Sequence, residues 1–189
     1  MYDQLGHYIK RNVTISPEDL KTILSYFKPL QKSKNDFLLA QGQTSQNIYF
    51  VAKGCLRIFV INDEGKDSTK YIAFENHMAT ALVSHITKLP SKEYIQVIEQ
   101  ASLLYINNDD FNHLMTLIPA WSTFYAKYLE KAYVNTNNRL LSFTDMNALE
   151  RYQQLLKINP EIVKRLPNKV VASYINISQE TLSRLKSKI

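Results

Sequence analysis

Between Phe37 and Ile106 the apolar residues come in short runs separated by turn-forming residues: Phe37–Leu39, Ile48–Val51, Cys55–Ile61, Tyr71–Phe74, Tyr94–Ile98 and Leu103–Ile106. Runs this short, rich in Ile, Val, Phe and Tyr, predict closely spaced antiparallel strands of a sandwich or barrel. Gly42, Gly54 and Gly65 stand between the runs, where a positive φ turns the chain at no steric cost. Asn62-Asp63-Glu64-Gly65 reads as a hairpin tip. Upstream, Ser16-Pro17-Glu18-Asp19 marks a helix start, with Ser16 as cap, Pro17 in the first turn and Ile15 against Leu20 as a hydrophobic staple. That helix ends near Phe27, ahead of Pro29.

At Pro119 the period changes. Trp121, Tyr125, Tyr128 and Ala132 recur at helical spacing, Phe124 and Leu129 widen the stripe, and no glycine or further proline interrupts it before Phe143. One long helix follows. It carries more apolar surface than a small barrel covers, which favours pairing with a second copy over packing against its own domain. Ala148–Ile158 forms another helix, and Asn159-Pro160-Glu161 starts the next. The expected organisation is a sensor domain over 1–118, a dimerisation helix over 119–144 and a terminal domain over 145–189.

The densest pattern runs from Asn168 to Ser187 and reads as helix, tight turn, helix. Asn168 is placed as cap of the first helix, Val171 and Ile175 face inward, and Ala172 is small enough for a close crossing. Asn176 takes the left-handed turn, Ile177 plugs the corner and Ser178 caps the second helix. Leu182 and Leu185 turn inward, leaving Gln179, Glu180, Ser183 and Arg184 outward. A generic antiparallel helix pair also needs a small contact residue, but not a polar outer face beginning in the first turn of its second helix. The spacing is that of a helix-turn-helix that reads double-stranded DNA. Arg184 suits a guanine edge, Glu180 a cytosine amine, and Gln179 an adenine or a phosphate. Thr181, Lys169, Lys186 and Lys188 suit phosphates.

Charge sharpens this picture. The 189-residue chain has a net charge of +6. From Val163 onward Lys164, Arg165, Lys169, Arg184, Lys186 and Lys188 face one acid, Glu180, as expected for a segment that meets a polyanion. No apolar run reaches the roughly 18 residues of a membrane helix, and Met1-Tyr2-Asp3-Gln4 does not resemble a secretion signal. A single cysteine, Cys55, excludes a disulfide framework and a multi-cysteine metal site, so a cytoplasmic location is expected. His7, His77, His85 and His113 lack metal-ligand spacing. No nucleophile–base pattern or phosphate loop is present, so no enzyme activity is expected; a cupin-type oxygenase would require clustered histidines.

Barrel, long helix and terminal helix-turn-helix, in that order, resemble the Crp/Fnr family of bacterial transcription regulators over nearly the whole chain. Leu39-Ala40-Gln41-Gly42 and Ile48 to Arg57 resemble the early strands of its cyclic-nucleotide-binding-type barrel. Ser178 to Arg184 resembles its recognition helix, with Gln179 where the family has a first arginine. Within the family the chain is most similar to short members common in Bacteroidetes. The resemblance implies an α+β fold: an antiparallel β-barrel (double-stranded β-helix or jelly roll), a dimerisation helix and a winged helix-turn-helix. It implies a homodimer on a pseudo-palindromic operator, in contact with RNA polymerase. Family members that bind cyclic nucleotide use a Gly-Glu pair and an arginine followed by Ser or Thr. The matching stretch, Phe74 to Tyr94, has neither glycine nor arginine, which argues against cyclic AMP in the usual manner and names no certain cofactor. Glu75, Thr80, Ser84, Lys92 and Tyr94 are the candidate residues for another small ligand, with Lys92 as a point charge only. The alternatives are a regulator that answers to a cyclic nucleotide or small anion through the same pocket, and an interaction module that has lost DNA binding.

Overall fold

The computed structural model describes residues 1–187 and divides into two compact units. The first comprises residues 1–60 and 71–129, and the second 61–70 with the chain from Glu130 onward.

The first unit opens with α1 (Tyr2–Asn12) and α2 (Pro17–Tyr26). Ser16 caps α2 by accepting from the Asp19 N–H at 3.0 Å. The strands follow: β1 (Lys28–Lys32), β2 (Phe37–Leu39), β3 (Asn47–Ile61), β4 (Asp67–Ala73), β5 (His77–Ala79) and β6 (Tyr94–Asn107), with α3 (Leu82–Thr87) before β6. Antiparallel pairing joins β6 to β1, β2 and β3, and β3 to β5, while β4 lies beside β3. The path is an open six-stranded sheet rather than a closed ring. α4 (Asn108–Leu117) and the 27-residue α5 (Pro119–Asp145) follow.

Gly54 departs from the expected pattern. Ile48–Val51 and Cys55–Ile61 are one strand, and Gly54 sits at a bulge inside it, where the register against β6 shifts. Its φ is +93°, and a Cβ there would stand 2.5 Å from the Gln100 carbonyl oxygen and 2.9 Å from the Ala101 Cα. Backbone atoms cannot give way, so only glycine fits.

Two cores flank the sheet. Leu5, Ile9, Ile23, Phe27, Phe50, Phe111, Trp121 and Phe124 join α1, α2, α4 and the start of α5 to one side. Leu39, Tyr49, Leu56, Ile58, Ile95 and Val97 fill the other. Trp121 stacks on Phe124 at 4.8 Å and meets Phe111 at 5.2 Å.

The second unit holds the turn between β3 and β4, the rest of α5, α6 (Ala148–Ile158), α7 (Pro160–Arg165), α8 (Asn168–Tyr174) and α9 (Gln179–Lys186). Gly65, at φ +77°, donates to the Asn62 carbonyl and closes the hairpin tip. Asn147 and Glu150 form a capping box at α6. The wing expected beside the last two helices is absent from the described residues. Pro160 starts α7, and α6 to α9 follow one another with no strand between them.

Candidate nucleic-acid interface and sensor cavity

In the second unit, α8 and α9 meet at a corner that the backbone dictates. Asn176 has φ +54°, and the Ile177 N–H returns to the Ala172 carbonyl at 3.0 Å, closing the end of α8. Two arginines complete this closure. Arg139 of α5 donates from Nη2 to the Tyr174 carbonyl at 2.6 Å and to the Thr69 carbonyl of β4. Arg151 of α6 donates from Nε to the Ile175 carbonyl at 2.9 Å and from Nη1 to the Met146 carbonyl at 2.6 Å. Cations at these carbonyls suit the negative end of α8. Burial pulls the Arg139 pKa down, against the opposing pull of Tyr174.

Ser178 caps α9, its Oγ accepting from the Thr181 N–H at 3.1 Å. Leu182 is fully buried, and Gln179, Glu180, Ser183 and Arg184 are exposed together on the opposite side. Arg184 Nε lies 3.4 Å from the Glu180 carbonyl, leaving its terminal nitrogens open to another partner. The Glu180 carboxyl is held below the usual carboxylate range by its own backbone N–H, with Ser178 and Arg184 adding to the effect. Thr181 is half-buried. Lys186 Nζ donates to Asn168 Oδ1 at 2.6 Å, so Asn168 ties α9 to α8. It does not cap α8, which starts after Pro167 without a side-chain cap. Lys169 approaches Asp67 at 3.9 Å. Lys188 lies outside the described residues. The hairpin tip and the α8–α9 corner enclose a cleft of about 250 Å³, lined in part by Lys66, Asp67, Lys169, Ser173 and Gln179.

Of the candidate ligand residues of the first unit, Thr80 and Ser84 both meet Ser45, while Glu75 and Tyr94 have other partners. Thr80 Oγ1 donates to the Asn47 carbonyl at 3.0 Å and lies 3.1 Å from Ser45 Oγ. Ser84 Oγ accepts from the Ser45 N–H at 2.9 Å and donates to the Leu89 carbonyl at 2.6 Å. Both hydroxyls fasten the chain around α3 to the start of β3. Glu75 accepts from the Gly54 N–H at 2.9 Å. Tyr94 stacks on Phe59 at 5.0 Å and donates to Gln41 at 3.2 Å, while Lys92 is exposed. A cavity of about 470 Å³ is lined by Leu38, Leu39, Gln43 to Asn47, Tyr49 and Ile95, among them Ser45 and Asn47, the partners of Thr80 and Ser84. No charged side chain lines it. Sequence reasoning missed it because Gln43 to Asn47 looked like an ordinary polar loop. Among the described residues no cluster of His, Cys, Asp and Glu suits a metal, and no helix is long and apolar enough to cross a membrane.

His85 is buried in this unit with Nδ1 unpartnered, edge-on to Phe111 at 5.7 Å. Burial lowers its pKa, Lys88 adds to the effect and Asn108 opposes it. The unfolded chain therefore binds this proton more readily than the folded one, and the stability contribution, complete above about pH 6.5, is lost as pH falls below that value. The urea midpoint should drop between pH 7.5 and 5.5, and His85→Phe should drop less.

Residues 29–116 match the family model described as the cyclic nucleotide-binding domain. A protein from Eubacterium rectale described as a Crp/Fnr-family transcriptional regulator superposes with a TM-score of 0.73 at 14% identity, covering 92% of this chain and 83% of its own. The c-di-GMP responsive global regulator CLP of Xanthomonas campestris gives 0.73 at 14% identity, over 92% and 91% of the two chains. FixK2 of Bradyrhizobium japonicum gives 0.73 at 13%, over 86% and 83%. No curated protein matches the sequence. Residues 29–116 thus match the cyclic nucleotide-binding domain model, in a chain whose fold is that of the Crp/Fnr transcriptional regulators.

Proposed function

We propose that the chain is a sequence-specific DNA-binding transcription regulator of the Crp/Fnr type that acts as a homodimer and has no enzymatic activity of its own. The observation that carries this reading is the exposed set Gln179, Glu180, Ser183 and Arg184 on α9, opposite a fully buried Leu182. Side chains spaced this way meet base edges when the helix enters a major groove. Lys169, Thr181 and Lys186 flank that face, where phosphates pass. Dimerisation is supported by α5: Tyr133, Val134, Leu140 and Leu141 are each more than half exposed, and the two pairs repeat one heptad apart. Two such heads would read a pseudo-palindromic operator in the cytoplasm and contact RNA polymerase. The effector site we infer is the 38–49 cavity. Its lining offers carboxamides and hydroxyls with no cation for a phosphate, so a cyclic nucleotide held by phosphate pairing is not part of this reading.

Fluorescence anisotropy of the whole chain with a random-sequence duplex, titrated over salt, tests the proposal. Binding should weaken steeply with salt, and Lys186→Ala should flatten the slope by about one unit on every sequence. A chain that leaves the duplex free at low salt is not a DNA-binding regulator.

A further inference from the structure

We propose that Arg139 is a positioning residue for DNA reading, and that the hairpin tip at 61–70 is a working part of the reading head; this rests on the DNA-binding function proposed above. The two N–H groups of a single nitrogen, Nη2, are divided between carbonyls of different elements, Thr69 on β4 and Tyr174 at the end of α8. The guanidinium plane is pinned by rings, 4.2 Å over Tyr174 and 4.9 Å over Phe143. The hairpin adds its own fastening. Thr69 is fully buried and its hydroxyl meets that of Ser173, whose oxygen also accepts from the Thr69 N–H at 3.2 Å. Asp67 lies 3.9 Å from Lys169. Tyr174 and Ile175 immediately precede Asn176, and the left-handed turn there sets the direction of α9. A clasp on the Tyr174 carbonyl therefore fixes the angle at which Gln179 and Arg184 are presented.

Base contacts and phosphate contacts respond differently to a loose angle. A hydrogen bond to a base edge weakens steeply once its direction is lost. A lysine near a phosphate tolerates displacement, because its attraction is long-ranged and poorly directional. Loss of the clasp should therefore erode discrimination between sequences far more than affinity for any DNA.

The test uses the whole chain, a duplex that the wild type selects from a random library, and a scrambled duplex of equal length. Arg139→Gln should reduce the ratio of the two affinities about tenfold, while binding to the scrambled duplex changes less than about twofold. Arg139→Lys keeps the charge and loses the planar fork, and should fall between Gln and wild type. Hydrogen exchange should quicken in Arg139→Gln over residues 170–186 and stay unchanged over 95–106. An unchanged ratio, or equal loss on both duplexes, overturns the proposal. Should Arg139→Gln fail to fold, Arg139→Lys decides by the same ratio. If the wild type itself prefers no sequence, the regulator reading fails with it, a result visible before any variant is made.

Discussion

Arg184→Ala will lose discrimination at one base pair of the preferred duplex, at a cost of about 1–3 kcal/mol. The guanidinium projects from the exposed side of α9 one turn beyond Glu180, and its terminal nitrogens have room for two parallel bonds to a guanine edge. Competition binding with duplexes changed one position at a time is the direct check. Loss confined to one position in each half-site supports the base contact. Equal loss on every sequence, with a shallower salt dependence, would reduce Arg184 to a phosphate contact.

The largest stability effect is expected at Trp121. Trp121→Ala will destabilise the first unit by about 3–5 kcal/mol, as truncation of a buried aromatic does. Trp121 is fully buried and in ring contact with Phe124, Phe111 and Phe27. Its Nε1 is buried without a hydrogen-bond partner. Trp121→Phe should therefore cost much less, since most of the ring contact survives and an unsatisfied donor is removed. Urea denaturation followed by tyrosine fluorescence measures both variants. A loss in Trp121→Ala below about 1 kcal/mol would mean that the surrounding rings collapse into the space.

Local chemistry proved legible in the sequence. Ser16, Ser178 and Asn176 act within three or four residues of themselves, so their roles follow from residue type and spacing. The Phe37–Leu39 strand and the helix over 148–158 are bounded by turn residues and caps that any reading meets. Asn107, whose side chain accepts from the Asp110 N–H at 2.8 Å, is the same kind of signal and announces α4, which the sequence reading passed over. The errors came from long-range structure. Gly54 has the look of a turn, and only the approach of Gln100 and Ala101 makes it a bulge. The hydroxyls of Thr80 and Ser84 meet Asn47 and Ser45, more than 30 residues away, so these bonds were not legible from spacing either. Arg139 and Arg151 gave no signal at all, because their partners are backbone carbonyls between five and 70 residues away.

Cys55 is the chain's single thiol and lies in β3 with no solvent exposure. An alkylating reagent can therefore reach it only when the strands part, and the rate of labelling becomes a clock for their opening. Run with and without a candidate effector, that clock would register occupancy of the 38–49 cavity without any nucleic acid in the tube.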